Sequence, residues 1–226
     1  MGTIFENVSE KIKKYDELPK GKQYNRAYQM VLNARAGSSS LVDEVGNVSE
    51  QSLKVIEDGL KRFEMARFGK MDSKFRDRLK NKLQRSDIKA ILVKFKNLRI
   101  ESQDWQKYRD DVKKLYDTLS AGGNDGLSAD GNRFDVGATK IMNFLFPELF
   151  VMVDKKVAKT LTELELIRFS RKGGTYCFCF EKYWKIIKIC YAELEQYKKQ
   201  GDISDLLKLD KEPTTLTRMF DKCVFK

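Results

Sequence analysis

The chain has 226 residues, of which 41% are hydrophobic and 11% aromatic, and its formal net charge is +11. This length and composition exclude a disordered chain and predict a single domain over residues 1–226 or two lobes that share a core. No apolar run approaches the roughly 18 residues that cross a membrane, and the amino-terminal sequence lacks a signal-peptide pattern. We therefore expect a cytoplasmic protein that does not enter a membrane.

Two residue types limit the chemistry of the chain. Histidine is absent, which excludes zinc sites that use histidine and acid–base catalysis by histidine. The four cysteines include no C-x-x-C pair, and we interpret them as buried, reduced thiols. They are Cys177, Cys179, Cys190 and Cys223. We expect neither a metal nor a cofactor.

The order of hydrophobic residues predicts helices along most of the chain. Leu, Lys, Glu and Arg dominate and only three prolines interrupt them, which favours an all-α, multi-helix globular fold. Ser49 is positioned to cap one of these helices and the 213–215 segment another. Outside the segments discussed below, the predicted helices cover residues 4–18, 22–36, 49–68, 102–119, 175–199 and a short stretch after 215. Residues 121–132 hold four glycines and are predicted to be a loop.

The positive charge is concentrated in residues 61–99, which we call the basic block. It contains fourteen Lys or Arg and four Asp or Glu, so it carries +10. Its periodicity predicts two helices, with Ser86 and Asp87 ending the first and capping the second. Such a block favours a surface that binds nucleic acid, while an ordinary helix rich in lysine is the alternative. The basic residues of its first helix are Lys74, Arg76, Arg78, Lys80, Lys82 and Arg85.

Residues 134–159 carry the pattern that bears most directly on function. Lys140 is predicted at the start of one apolar helix, after a turn that contains Gly137, and Asp154 at the start of the next, with Pro147 between them. Helix N-termini attract phosphate and can lower the pKa of a nearby amine. The alternative is an ordinary buried helix, with Lys140 as a surface charge and Asp154 as an N-cap.

This pattern resembles the helix-hairpin-helix DNA glycosylase superfamily. Residues 136–140 (VGATK) correspond to the end of that family's Leu-Pro-Gly-Val-Gly-x-Lys hairpin, and residues 151–159 (VMVDKKVAK) to its apolar-Val-Asp-x-x-Val-x-Arg segment. The match covers about 26 of the 226 residues. The chain differs in having Phe-Asp at 134–135 in place of Pro-Gly and Lys-Lys at 155–156 in place of Thr-His.

The resemblance implies a DNA glycosylase with two helical lobes, and a lyase activity would follow from a lysine nucleophile. The target base is extruded into a pocket between the lobes. Lys140 attacks the sugar carbon that bears the base, and Asp154 stabilises the developing charge or activates the amine. The other implied contacts hold phosphates, through the backbone N–H groups of Gly137, Ala138 and Thr139 and the side chains of Lys155, Lys156 and Lys159.

Two other classes of function remain open from the sequence. The imperfect hairpin, the shorter spacing from Lys140 to Asp154 and the Lys-Lys at 155–156 favour a nucleic-acid-binding protein that keeps the glycosylase-like frame without catalysis. A scaffold whose basic block meets an acidic protein partner is the third class. DNA is favoured over RNA as the partner, and the sequence leaves open the target base, the oligomeric state and whether Lys140 and Asp154 meet.

Overall fold

The structure, a computed structural model, describes residues 4–35, 40–65, 70–172 and 175–225. The prediction of an all-α fold is confirmed over these residues. The helices are α1 Val8–Glu17, α2 Pro19–Ala34, α3 Glu50–Arg62, α4 Phe75–Leu83, α5 Ser86–Phe95, α6 Arg109–Ser120, α7 Asp135–Leu145, α8 Lys155–Glu163, α9 Phe180–Lys198, α10 Ile203–Lys208 and α11 Leu216–Val224. A 3-10 helix, Gln103–Tyr108, precedes α6, and β1 Arg171–Lys172 pairs antiparallel with β2 Thr175–Tyr176.

Three helices begin at the caps that the sequence indicates. The Ser49 side chain accepts a hydrogen bond from the Ser52 N–H group at the start of α3. Asp154 does the same for α8, and Thr215 accepts from the Arg218 N–H group at the start of α11. Each bond satisfies a donor that would have no partner in the first turn, and is worth about 1 kcal/mol.

Other predicted boundaries are wrong, for identifiable reasons. The helix predicted from residue 22 begins at Pro19, because proline in the first turn gives up no hydrogen bond. Ser86 is the first residue of α5, and the N-cap position is taken by Arg85, which makes no side-chain cap. The helix predicted from residue 175 begins at Phe180, because residues 175–176 pair with β1. Residues 36 and 66–68, predicted as helix ends, lie outside the described residues.

Two helices lie inside the fold rather than on its surface. Every residue of α7 from Gly137 to Leu145 is buried, and α7 packs against α3 and α6. Every residue of α11 is buried as well, and α11 packs against α1, α8 and α10. Both helices carry charged side chains into this interior, and the candidate site forms where α7, α8 and α11 approach one another.

None of the described helices is both long and apolar enough to cross a bilayer.

Candidate functional site

Helix α7 begins earlier than the sequence indicates, and this changes the environment of Lys140. The helix starts at Asp135, so Lys140 lies in its middle and Gly137 lies in its first turn. A Cβ atom at Gly137 would come within 2.0 Å of the Phe134 ring, so only glycine fits this position. The predicted turn before Lys140 is therefore wrong.

The backbone around Lys140 is engaged within the protein. The Ala138 N–H group donates to the Phe134 carbonyl at 2.7 Å, and the Thr139 N–H group also lies within the helix. The Thr139 hydroxyl accepts from the Val153 N–H group at 3.1 Å and joins α7 to the segment before Asp154. Of the three N–H groups predicted to bind phosphate, only that of Gly137 lies in the first turn, where helical N–H groups lack a helical acceptor.

The Lys140 amine lies in an apolar and aromatic environment. The residue is 4% exposed, so its interpretation as a surface charge is wrong. Its Nζ atom is 4.8 Å from the centre of the Phe63 ring and 3.9 Å from the Met65 sulfur. No ion pair involves Lys140 among the residues that the structure describes. Buried lysines normally have a carboxylate partner, so this arrangement is unusual.

Lys140 shares a small cavity with two carboxylates, Asp154 and Asp221. The cavity has a volume of about 10 Å³, which is the room of one water molecule. The sequence left open whether Lys140 and Asp154 meet, and the structure places both in the wall of this cavity. The rest of the wall is formed by Tyr24, Phe63, Met152, Val153 and Phe225.

Asp221 is the member of this cluster that sequence reasoning missed. It lies on α11 and pairs with Arg218, one turn earlier; Arg218 also donates to the Asn25 side chain at 3.0 Å. Burial raises the pKa of Asp221 to about 6, although Arg218 acts in the opposite direction. Arg and Asp three residues apart usually indicate an exposed helix face, and no signal in the sequence showed that α11 is enclosed on every side.

Burial also determines the protonation of Lys140. Removal from water lowers the pKa of its amine, while the negative charges of Asp154, Asp221 and Glu64 oppose that shift. A lowered pKa increases the fraction of neutral amine near pH 7, and only the neutral amine is a nucleophile. The arrangement is therefore suited to attack by nitrogen on an electrophilic carbon.

An open cleft lies beside the first turn of α7. Its volume is about 550 Å³, which is within the usual range for small-molecule sites. Met65, whose sulfur touches the Lys140 amine, also faces this cleft. The other lining residues are Lys70, Asn132, Arg133, Phe134, Asp135, Val136, Gly137, Tyr176, Cys177 and Phe178.

The prediction that all four cysteines are buried is wrong for two of them. Cys177 is half-buried and Cys179 is exposed, while Cys190 and Cys223 are buried.

The basic block is less positive in space than in sequence. Arg76 pairs with Glu57 at 2.6 Å, and Arg78 with Asp72 at 2.8 Å. Among the described residues, seven cations of the block pair with carboxylates from outside it, which offsets much of its excess charge. Those carboxylates are Glu44, Glu50, Glu57, Asp58, Glu101, Asp111 and Asp130. Of the other basic residues on its first helix, Lys80 pairs with Glu50 and Arg85 with Asp87, whereas Lys74 and Lys82 form no ion pair among the described residues.

The three lysines of α8 differ in their surroundings. Lys155 is exposed, as the predicted contact with a phosphate requires. The Lys156 Nζ atom lies 4.3 Å from the centre of the Phe225 ring, and Lys159 pairs with Glu163 at 3.5 Å. All three lie on the helix that Asp154 caps, and none of them lines the Lys140 cavity.

Comparisons with known proteins give this chain no relative: no family model, no curated protein and no solved structure matches it.

Proposed function

We propose that this chain binds nucleic acid and that Lys140 is a nucleophile toward the sugar of an extruded nucleotide, as in the helix-hairpin-helix glycosylases. The observation that carries the proposal is the Lys140 amine itself. It is buried without an ion pair to any residue that the structure describes, and it shares a cavity with Asp154 and Asp221.

A purely structural role does not account for this lysine. Placing a charged or neutral amine among aromatic rings loses hydration, and an apolar side chain of similar length would fill the same space without that loss. Residues that weaken the fold in this way are concentrated at functional sites. The lowered pKa of Lys140 is what a lysine nucleophile requires.

The reaction balances between the amine, the nucleotide and the carboxyl groups of the site. The neutral Lys140 nitrogen bonds to the sugar C1′ atom while the bond from C1′ to the base breaks, and the base leaves with that electron pair. The proton that the amine loses passes to the base. The nitrogen lone pair then opens the sugar ring, whose oxygen takes a proton from a carboxyl group, leaving a Schiff base.

Asp154 and Asp221 have distinct parts in this scheme. Asp154 holds its position because its Oδ1 atom accepts from the Lys156 and Val157 N–H groups, at 2.8 and 3.0 Å. Its charge stabilises positive charge that develops on the sugar. Asp221, with its pKa raised to about 6, exchanges a proton near neutral pH and is the carboxyl group that protonates the ring oxygen.

Borohydride trapping tests the chemistry, because borohydride reduces a Schiff base to a stable amine. Wild type, Lys140→Gln and Lys182→Gln are each incubated with duplexes that carry one damaged base. Lys182 is the matched control, since its amine also faces an aromatic ring, that of Phe169, but lies outside the cavity. We expect a covalent complex with one of the duplexes in wild type and Lys182→Gln, and none in Lys140→Gln.

A second function, nucleic-acid binding without chemistry, is favoured by the size of the cavity. A volume of about 10 Å³ does not admit a sugar, so the reaction requires that the site open. Tight, salt-sensitive binding with no trapped species and no base release on any duplex would establish this second function. Equal trapping by Lys140→Gln and wild type would instead assign the covalent bond to another amine.

A further inference from the structure

One side chain links the open cleft to the enclosed amine of Lys140. Met65 lines the cleft, and its sulfur lies 3.9 Å from the Lys140 Nζ atom. The cleft and the Lys140 cavity share no described wall residue, so the contact between the Met65 sulfur and the Lys140 amine is what connects them. Displacement of Met65 would therefore join a space of about 550 Å³ to the amine.

Methionine is suited to act as a movable wall. Its side chain is unbranched with three rotatable bonds, so it changes conformation at lower cost than a branched or aromatic residue. Met65 is 8% exposed and follows Glu64, whose φ of 62° lies in the left-handed region that ends the helical run after α3. The Met65 N–H group donates to the Leu60 carbonyl at 3.1 Å and closes the turn that ends α3, so the motion that opens the path is a rotation of the Met65 side chain.

The cleft indicates the chemistry of the ligand that it accepts. Phe134 and Tyr176 are buried aromatic residues that line it, and Phe178 adds a half-buried ring. Lys70 and Arg133 also line the cleft, but their charges are paired with Asp130 and Asp135. Aromatic walls with neutralised charges fit a flat heteroaromatic ring better than a free anion.

We propose that this cleft binds a flat heteroaromatic ligand and is the entrance to Lys140, with Met65 as the gate. Access to the amine is independent of DNA chemistry; only the identity of the natural ligand, an extruded nucleotide, rests on the proposed function. A failure of access and a failure of trapping are therefore separate results.

Reductive labelling with pyridoxal, a heteroaromatic aldehyde, measures access to Lys140. The neutral amine adds to the aldehyde carbon, water leaves as the Schiff base forms, and borohydride reduces the carbon–nitrogen double bond. Mass spectrometry of peptides gives the labelling rate at Lys140 separately from every other lysine. Wild type is compared with Met65→Ala and Met152→Ala, since Met152 is a methionine of the Lys140 cavity that does not line the cleft.

We expect Met65→Ala to label Lys140 at least about tenfold faster than wild type, because the variant no longer needs a local opening. We expect Met152→Ala to change the rate less than about threefold, since the loss of its side chain opens no path to the cleft. Equal acceleration by both variants, or no acceleration by Met65→Ala, would contradict the proposal that Met65 is the gate.

Glyceraldehyde, which lacks an aromatic ring, tests the class of ligand. It should show no preference for Lys140 over other lysines in Met65→Ala. Equal selectivity of the two aldehydes for Lys140 would contradict the proposal that the cleft binds a heteroaromatic ligand.

A second experiment leaves Met65 in place and therefore applies even if Met65→Ala does not fold: a cysteine of the cleft is modified, and pyridoxal labelling of Lys140 is measured. Cys177 lines the cleft, whereas Cys179 is exposed and does not line it. A bulky maleimide should slow pyridoxal labelling of Lys140 in wild type and in Cys179→Ala, and leave the rate unchanged in Cys177→Ala. An unchanged rate in all three proteins would show that ligands reach Lys140 by another route.

Discussion

The basic side chains of the basic block and of the Lys140 cavity lie in opposite environments. In the block, cations lie at the surface and most are paired with a carboxylate, as Arg76 is with Glu57. In the cavity, one amine is enclosed and forms no ion pair in the described part of the chain. Ion pairs at the surface contribute little to the free energy of unfolding, whereas burying an ionisable group without a partner costs several kcal/mol. The position of a charge in the fold thus matters more than the number of charges along the sequence.

The largest expected effect comes from breaking a buried pair. Arg218 is 1% exposed and holds Asp221, so Arg218→Ala leaves a buried carboxylate without its partner and should lower the free energy of unfolding by about 3–5 kcal/mol. Arg76→Ala should cost no more than about 1 kcal/mol, because the pair is partly exposed and Glu57 keeps Lys61 at 2.7 Å. Urea denaturation measures both, and similar losses would remove the contrast between the two regions.

The next effect has the opposite sign. Lys140→Met should raise the free energy of unfolding at pH 7 by about 1–3 kcal/mol, because it replaces a buried amine that has no ion pair with the described residues by an apolar chain of similar length. Lys159→Met, at an exposed position, should change it by less than about 0.5 kcal/mol. A destabilised Lys140→Met would mean that the lysine holds the fold together, which contradicts a functional reason for its burial.

The increase in the free energy of unfolding that Lys140→Met produces should depend on pH. The folded protein lowers the pKa of Lys140 below the ordinary 10.5 through burial, so between those two pKa values the unfolded chain binds more protons. Wild-type stability therefore rises with pH through that window. The advantage of Lys140→Met should be full below the folded pKa and fall to a smaller, pH-independent remainder as the pH passes 10.5, which repeated denaturation curves at several pH values would show.

The sequence predicts the fold well because local signals and packing agree there. The side chains of Ser49, Asp154 and Thr215 cap helices in the structure, and each precedes a regular apolar pattern. The start of α7 was misplaced because the chain enters the helix at Asp135 with no capping residue before it; the preceding Phe134 makes no side-chain cap. Helix starts without such a signal are not visible in sequence alone.

The site was predictable only in part. Residues 134–159 supplied Lys140 and Asp154 through their pattern, but Asp221 lies on a different helix and has no motif of its own. The cavity depends on how α11 packs against α8, a long-range contact that periodicity does not encode. The neutralisation of the basic block was hidden for the same reason, since carboxylates such as Glu50 and Asp130 are distant in sequence.

The smallest expected effect concerns nucleic-acid binding by the block. Lys74 is exposed and in no ion pair among the described residues, so Lys74→Gln should reduce the slope of log affinity against log salt by about 1. Lys80 already pairs with Glu50, so Lys80→Gln should change the slope by less than about 0.5. Fluorescence anisotropy across a salt series gives both slopes, and equal reductions would show that the ion pairs do not limit binding. A wild-type affinity that is insensitive to salt would favour the acidic protein partner.

Both the reactivity of Lys140 as a nucleophile and its effect on the free energy of unfolding depend on the protonation of its amine. A heteronuclear NMR titration of the lysine Cε resonances measures it directly, with the Lys140 signal assigned by its loss in Lys140→Met. We predict a midpoint for Lys140 below 10.5, because removal of the amine from water disfavours its charged form. A midpoint at or above 10.5 would contradict the account, since the amine would then be a stabilised cation rather than a nucleophile.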